Sequence, residues 1–428
     1  MKKHFLFILV LIVCVASFTA ACAAPAIKAG RFSAAPAIDG NLSEPCWEKE
    51  AAPAEIAGSE QTKALVGYDD DYLYVGFICR HRQPEQIKGA VLDRDGNIFG
   101  EDSVEVFLDP GTDGNSYYQF AVNCIGTQFD GVRRKDSQAF STSWDGAWKA
   151  KAKKQKDGFA VEIAIPFRIL QLGMGQEWSV NFCRNVSKPQ ENVSWTQLKD
   201  FHNPKKFGRL QGIHVPRYQT IMVDRIQPPE TVVLGDNRFT VILHNQGDKA
   251  RNLEGRIAFV GEYSQEFDFQ NPDKPAGSVS CEAPGGGEKE ITIPFVIGEQ
   301  GKFAYKFSLY DPDAKMILYE EVFNCLIESP VFVKIVSKIV FPSEPLVIAG
   351  KVNMSSNRMD NTRLKMDVTR DAQVVKSFSF DGRALMDSPF YADVAGLSNG
   401  NYSVLFEFFA ATNRLFFRAD EFLKTQGY

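Results

Sequence analysis

Residues 99–109 read Phe-Gly-Glu-Asp-Ser-Val-Glu-Val-Phe-Leu-Asp. From Ser103 onward the side chains of an extended chain alternate between two faces. Val104, Val106 and Leu108 share one face; Ser103, Glu105 and Phe107 share the other. The aliphatic face belongs to a core. The opposite face sets a carboxylate, Glu105, beside a large ring, and a strand buried on both sides seldom hides an acid without a partner. Phe99 lies in the glycine-containing loop just ahead. A loop aromatic followed by a strand acid is either one wall of a polar-ligand site or a sheet edge whose acid makes a structural hydrogen bond.

A chain of 428 residues is too long for one ordinary domain. Its 34 phenylalanines, 33 glycines and 21 prolines, among short apolar runs, describe β-rich domains joined by turns. The net charge is −5, or −7 once Lys2 and Lys3 are removed, and no basic stripe occurs, which argues against nucleic acid as a partner. Residues 1–24 have the form of an export signal: Lys2 and Lys3, an apolar run from Phe5 to Phe18, then small residues. The expected location is therefore periplasmic, cell-surface or extracellular. Cys22 after two alanines also resembles a bacterial lipoprotein cysteine, and a lipid there is the one membrane anchor the sequence offers. The remaining cysteines are widely spaced without a C-x-x-C, which disfavours zinc. Cys281 and Cys325 fall in one later domain, where export would permit a bridge, but the sequence does not pair them.

Taken in order, Ala37–Trp47 forms a strand end, an Asp39-Gly40 turn and a short helical turn with Trp47 packed inward. Two strands flank Asp69-Asp70-Asp71, an acid triplet read as a hairpin turn because the spacing of a calcium loop is absent. Further strands are expected at Gln119–Cys124, Lys149–Lys156, Phe159–Pro166 and Trp178–Arg184, closing at Phe207–Ile213. Short strands with turn signals between them make an antiparallel sandwich over residues 25–215. After Pro216, strand patterns at Arg238–His244, Leu253–Val260, Lys289–Val296 and Lys302–Leu309 indicate an immunoglobulin-like sandwich over 216–328. A second such unit is expected over 329–428. The fold class is all-β.

The ordered pieces of the first sandwich resemble family 9 carbohydrate-binding modules. They are Ile38-Asp-Gly with Trp47, Tyr68-Asp-Asp-Asp-Tyr-Leu-Tyr-Val, Glu101–Asp109, Gly158-Phe-Ala-Val-Glu-Ile-Ala-Ile-Pro, Val180-Asn-Phe, Ser194-Trp195 and Lys206-Phe-Gly-Arg-Leu210. The resemblance implies a sandwich that grips a saccharide between two aromatic rings, often with structural calcium and often attached to a glycosidase. The clamp tryptophan standing three residues before Asp-Ser-Val-Glu in the best-known members is Phe99 here, and the one seven residues before the Phe-Gly glycine is Phe201. The sugar-binding glutamate matches Glu105. An arginine expected near Gln119–Asn123 is replaced by Ala121, and a glutamine expected after Asn181 falls at Cys183.

The candidate binding residues are therefore Phe99, Phe201 and Glu105, joined by Arg184 as partner or ligand contact and by Trp144 in its Ser/Thr/Gly loop. Each has a plainer alternative: the rings can cover the sandwich edge, Glu105 can pair with a neighbouring strand, and Trp144 can fold back as a rim residue. Trp47, Trp178 and Trp195 are expected in the core. Glu101, Asp102 and Glu105 lie close together, but nothing sets the carboxylate separation that glycoside hydrolysis needs. No G-x-S-x-G, H-E-x-x-H or phosphate-cradling loop occurs. The expectation is an exported, non-catalytic carbohydrate-binding protein, with any glycosidase on a separate chain. The alternatives are a structural or adhesive surface protein with a degenerate sugar site, and a haem-binding electron-transfer sandwich using Met174 with His81 or His202.

Overall fold

The computed structural model describes residues 24–134, 139–173, 175–259, 276–298, 301–327, 329–410 and 413–426. Cys22, Met174 and nearly all of the leader lie outside the described residues. Among the described residues the fold is all-β, as expected, in six sheets stacked as three sandwiches.

In the first sandwich one sheet runs in the order Ala26–Lys28, Gly208–Gln211, Glu177–Val186, Ser103–Asp109, Tyr117–Asn123, Gln128–Arg133, Phe140–Ser141, with Glu191–Ser194 beside Glu177–Val186. The facing sheet runs Lys149–Gln155, Gly158–Pro166, Tyr72–Arg80, Thr62–Tyr68, Gly30–Arg31, with Ala52–Ile56 on Thr62–Tyr68. The expectation of a purely antiparallel sandwich needs one correction. The N-terminal segment pairs in parallel with Gly208–Gln211 through Ala26–Lys28 and with Thr62–Tyr68 through Gly30–Arg31. One segment thus covers an edge of both sheets, which spares each an open ladder.

Every residue of Ser103–Asp109, Tyr117–Asn123 and Gly158–Pro166 is buried. Val104, Val106 and Leu108 join Phe77, Val161 and Phe182 in the core between the sheets. The outer face of Gly158–Pro166 is closed by the Asp39–Trp47 segment, and one carboxylate makes the closure. Glu162, fully buried, accepts from the backbone N–H groups of Asp39 (2.8 Å), Gly40 (2.6 Å) and Asn41 (3.1 Å) and from Trp47 Nε1 (2.9 Å). Gly40 has φ +86°, and a Cβ there would stand 2.9 Å from Lys153 Cβ, so the turn needs glycine. Trp47 and Trp178 are buried as expected, and Trp195 is half-buried against Phe182.

The second sandwich pairs the sheet Ile221–Gln227, Gly235–Asn245, Glu288–Ile297 with Gly277–Ala283, Arg251–Phe259, Gly301–Asp311, Met316–Ile327. The third pairs Val331–Ile335, Leu346–Val352, Phe390–Ala392 with Ile339–Val340, Asn413–Lys424, Gly400–Ala410, Thr362–Arg370, Gln373–Asp381. One continuous apolar cluster, from Ile221 to Phe422, runs through both. Cys281 and Cys325 are not joined in a disulfide. They lie on the two edge strands of one four-stranded sheet, with two strands between them. That is about 14 Å at the usual interstrand spacing, beyond the reach of about 7 Å that a disulfide allows.

The strand Met316–Ile327 docks the second sandwich on the first. Arg168 Nε meets Glu320 Oε1 at 2.7 Å, Arg134 pairs with Glu321, and Tyr319 Oη donates to Glu321 Oε2 at 2.8 Å. Asp145 bridges Val322 through the backbone. Both glutamates are almost fully buried, so removing either arginine would strand a carboxylate away from water.

Replacing Glu162 by alanine leaves three backbone N–H groups and an indole N–H without their acceptor. A Glu162→Ala protein should lose about 3 kcal/mol of stability, read from urea unfolding of the full chain.

Candidate functional site

Four acids on and beside the Ser103–Asp109 strand each organise a different neighbour. Glu101 Oε1 accepts from the N–H groups of Ala90 (2.8 Å) and Val91 (3.2 Å), and Oε2 from Asn123 Nδ2 (3.0 Å). This pins the loop that carries Phe99. Asp102 accepts from Lys88 N at 3.0 Å and Ser187 Oγ at 2.5 Å, and pairs with Arg184 Nη2 at 2.8 Å. Asp109 holds the following turn through Gly114 N (2.9 Å) and Asp113 N (3.4 Å), and burial pushes its carboxyl up to about 6.

Glu105, in the middle of the strand, faces outward from the sheet. The register sets Phe129, Ala121, Glu105, Cys183 and Ser194 in one row across the strands. Both direct neighbours of Glu105 are therefore apolar. Its partners come diagonally: Gln119 Nε2 donates to Oε2 at 2.5 Å and Asn185 Nδ2 to Oε1 at 2.7 Å. Burial raises the carboxyl above the usual carboxylate range, against the opposing pull of these two amides. Each carboxylate oxygen keeps a further acceptor lone pair.

The two clamp candidates occupy opposite flanks of this row. Phe99 packs edge-on against Phe129, ring centroids 4.8 Å apart, in a cluster with Ile98 and Ala121. Phe201 lies 6.3 Å from Phe107, in the cluster that holds Cys183, Tyr117 and Phe207. The space beside Glu105 on one side is thus filled by Ala121 with Ile98, and on the other by Cys183 with its aromatic neighbours. Phe99 and Phe201 are both half-buried.

Arg184 and Trp144 do not join this face. Arg184 stands opposite Val104, on the side facing the second sheet. It is fully buried, donates to the carbonyls of Asn185 (2.7 Å) and Ser103 (3.3 Å), and lies over Phe159 at 4.5 Å. Trp144 is folded back into the core against Tyr118 (5.1 Å) and Phe120 (5.9 Å), so its ring is not offered to a ligand. Strand parity decides the case of Arg184, since a residue opposite an inward-facing valine must itself face inward.

His202, named from the sequence only as a candidate haem ligand, is a rim residue beside Phe201. It remains exposed while lying 5.2 Å from Phe107 and 5.1 Å from Phe140, with Nδ1 2.8 Å from Tyr117 Oη. For haem ligation, His81 has Nε2 3.1 Å from Lys188 O while Nδ1 accepts from Gln83 N at 3.0 Å, so both ring nitrogens are engaged. In the acid triplet Asp69 caps its own turn through Asp71 N and Tyr72 N, Asp70 pairs with Arg31, and Asp71 meets Arg217 at 2.7 Å. That is a hydrogen-bonded hairpin turn.

With this geometry in hand, the comparisons with known proteins bear on the first sandwich. Residues 38–212 match the family model "Carbohydrate family 9 binding domain-like". Over 198 residues it is 28% identical to an endo-1,4-beta-xylanase A of Thermotoga maritima, covering 42% of this chain and 17% of that protein. Over 185 residues it is 29% identical to an exoglucanase, XynX, of Acetivibrio thermocellus, covering 42% of this chain and 16% of that one. The chain thus spans only about a sixth of the curated relatives it matches. A solved family 9 carbohydrate-binding module of Caldicellulosiruptor kristjanssonii in complex with cellotriose aligns at 19% identity with a TM-score of 0.31, covering 44% of this chain and 92% of that one.

If Arg184 is a strut between the sheets, an Arg184→Met change strands Asp102 without its buried counter-charge. Denaturant unfolding should then show a loss of about 3–5 kcal/mol. A stability within about 0.5 kcal/mol of the parent would return Arg184 to the list of surface contacts.

Proposed function

We propose that this chain is an exported, non-catalytic saccharide-binding protein whose first sandwich holds a sugar over Glu105, between Phe99 and Phe201. The observation that carries the reading is the row through Glu105: an outward-facing carboxylate with free acceptor capacity, flanked on both sides by half-buried phenylalanines. A pyranose presents an apolar C–H face to a ring and hydroxyls at its edge. Glu105 would accept hydrogen bonds from two such hydroxyls, and a charged acceptor makes these bonds stronger than neutral ones. The family model match over residues 38–212 supports the same class of ligand. The names of the relatives make β-linked glucose and xylose chains the first ligands to try. An export leader ending near Cys22 would carry the protein outside the cytoplasm, free or lipid-anchored. The second and third sandwiches serve as immunoglobulin-like spacers or docking units for a separate glycosidase or the cell surface.

A second reading has its own observation. Ala121 and Cys183 leave Glu105 without a polar neighbour in its row, and Phe99 is already packed on Phe129. A structural or adhesive protein with a closed sugar site would look the same.

Calorimetric titration of the full chain with cellotriose and xylo-oligosaccharides separates the two. The sugar reading expects saturable binding that weakens about tenfold for each of Phe99→Ala and Phe201→Ala. A folded protein that binds no glycan tried, or a double variant with undiminished affinity, overturns the clamp.

The pH profile gives an independent check. Hydroxyl donors need the ionised Glu105, whose carboxyl titrates above the usual range. Affinity should therefore hold at neutral pH and fall on acidification through that raised value, while a Glu105→Gln protein binds more weakly with a flat profile.

A further inference from the structure

The three-stranded sheet of the third sandwich breaks the pattern that its own core obeys. Val331, Val333, Ile335, Leu346, Ile348 and Ala392 point inward and are buried. An antiparallel sheet with one wet face puts polar side chains at the positions between. In the second sandwich Gly235–Asn245 does so, alternating Asp236, Arg238 and Thr240 with the buried Asn237, Phe239 and Val241.

Here the outward positions differ. Phe332 stands opposite Lys351, and Lys334 opposite Ala349. Val336 N donates to Val347 O at 2.9 Å, and Val347 stands opposite Tyr391. Three rows about 7 Å apart, on strands about 4.8 Å from one another, thus make one face. Phe332, Val336 and Tyr391 are 41%, 54% and 59% exposed. Apart from Lys334 and Lys351, every side chain of these rows is apolar or aromatic. Neither lysine is ion-paired among the described residues. Arg418 adds a third cation at the margin, its guanidinium 4.8 Å from the centre of the Phe332 ring. The acids flanking the strands lie in turns. Glu344 Oε2 accepts from Phe341 N at 3.3 Å, Asp393 Oδ1 accepts from Ala395 N at 2.8 Å, and Asp387 precedes Phe390–Ala392.

A contiguous exposed apolar face marks a contact surface, and its chemistry narrows the partner. In a symmetric pair of chains the same patch meets itself, which would set lysines against lysines. A neutral glycan needs acceptors as well as donors, and these rows carry no carboxylate or amide. A protein partner is held by roughly one hydrogen bond per 100–200 Å², whereas only two ammoniums and one phenol can bond here. A layer of anionic headgroups over acyl chains fits all the groups present. The cations meet phosphate, while rings and aliphatic stems enter the boundary beneath it.

We propose that this face rests on a bilayer bearing anionic headgroups, with Phe332, Val336 and Tyr391 in the interfacial layer and Lys334, Lys351 and Arg418 on the phosphates. The inference rests on the docking role proposed for the third sandwich and not on the saccharide site. Attachment through one such patch is reversible, as it is for a single acyl chain.

The test is flotation of residues 24–428, which keep every described residue and omit the apolar leader. Phosphatidylglycerol vesicles should carry the protein upward, and phosphatidylcholine vesicles should bind it at least tenfold more weakly. Binding should weaken as salt rises from about 0.1 to 1 M, where the screening length falls from about 10 to 3 Å. Lys334→Gln with Lys351→Gln should lower the partition about thirtyfold, at roughly fivefold per lysine beside an anionic surface. Phe332→Ala with Tyr391→Ala should lower it about tenfold. All four side chains are exposed, so the fold should survive, as circular dichroism can verify. Phe417→Ala removes an exposed ring from the outer face of the opposite sheet and should change nothing. A parent that does not float with phosphatidylglycerol, as a face meant for an acidic protein would behave, overturns the proposal. Equal flotation of the parent and either double variant overturns it too. So does a dimer in sedimentation that the Phe332→Ala, Tyr391→Ala protein no longer forms, because a second copy would then be the occupant. Glycan titration of the same preparations reads the saccharide site separately, so either proposal can fail alone.

Discussion

Burial of carboxylates along one strand is the constraint from which much of the first sandwich follows. Ser103–Asp109 has no exposed residue, yet Glu101, Asp102, Glu105 and Asp109 lie on it or beside it. A buried acid without donors is costly, so each recruits a segment that would otherwise be free. Glu101 fixes the loop at Ala90 and Val91, Asp102 fixes Lys88, Ser187 and Arg184, and Asp109 fixes the turn at Gly114. Only Glu105 is satisfied by amides of the sheet itself, which leaves it on an outward face beneath the loops the other three have anchored.

The same logic recurs on the second sheet. Glu162 gathers three consecutive backbone donors and an indole N–H, so the Asp39–Trp47 segment closes over a strand with no exposed residue. At the junction of the sandwiches, Glu320 and Glu321 are buried against Arg168 and Arg134. Such pairs resist separation, because parting them returns neither charge to a partner. The second and third sandwiches are held differently, by one apolar cluster that runs through both. The chain is thus joined by charge at one boundary and by hydrophobic burial at the other.

The two faces of the Gln128–Arg133 strand divide the chemistry. Phe129 points outward and backs the ring of Phe99 on the flank of Glu105. Asp130 points inward to Arg94, Asp95 and Asp145. The outward ring and the inward acid are neighbours through a single peptide unit, while meeting different elements of the protein.

Local pattern determined a good deal by itself. Alternation along 103–109 separated the aliphatic face from the face of Glu105, and the ordered motifs marked an all-β first domain with Phe99 and Phe201 as ring candidates. Those readings depend on short-range periodicity, which a sequence displays directly. What it could not display was the choice of partner across the sheets. Arg184 looked available to Glu105, but pairing with Val104 turns it inward to Asp102. Trp144 looked like an exposed loop ring, but the inner face of Tyr118 and Phe120 had room for it. Cys281 and Cys325 shared a domain, but two strands stand between them. Asp95, Asp130 and Asp145 carry no common motif at all. Register and burial bring them together, and both are properties of strands meeting in space, set by which faces must leave water at once.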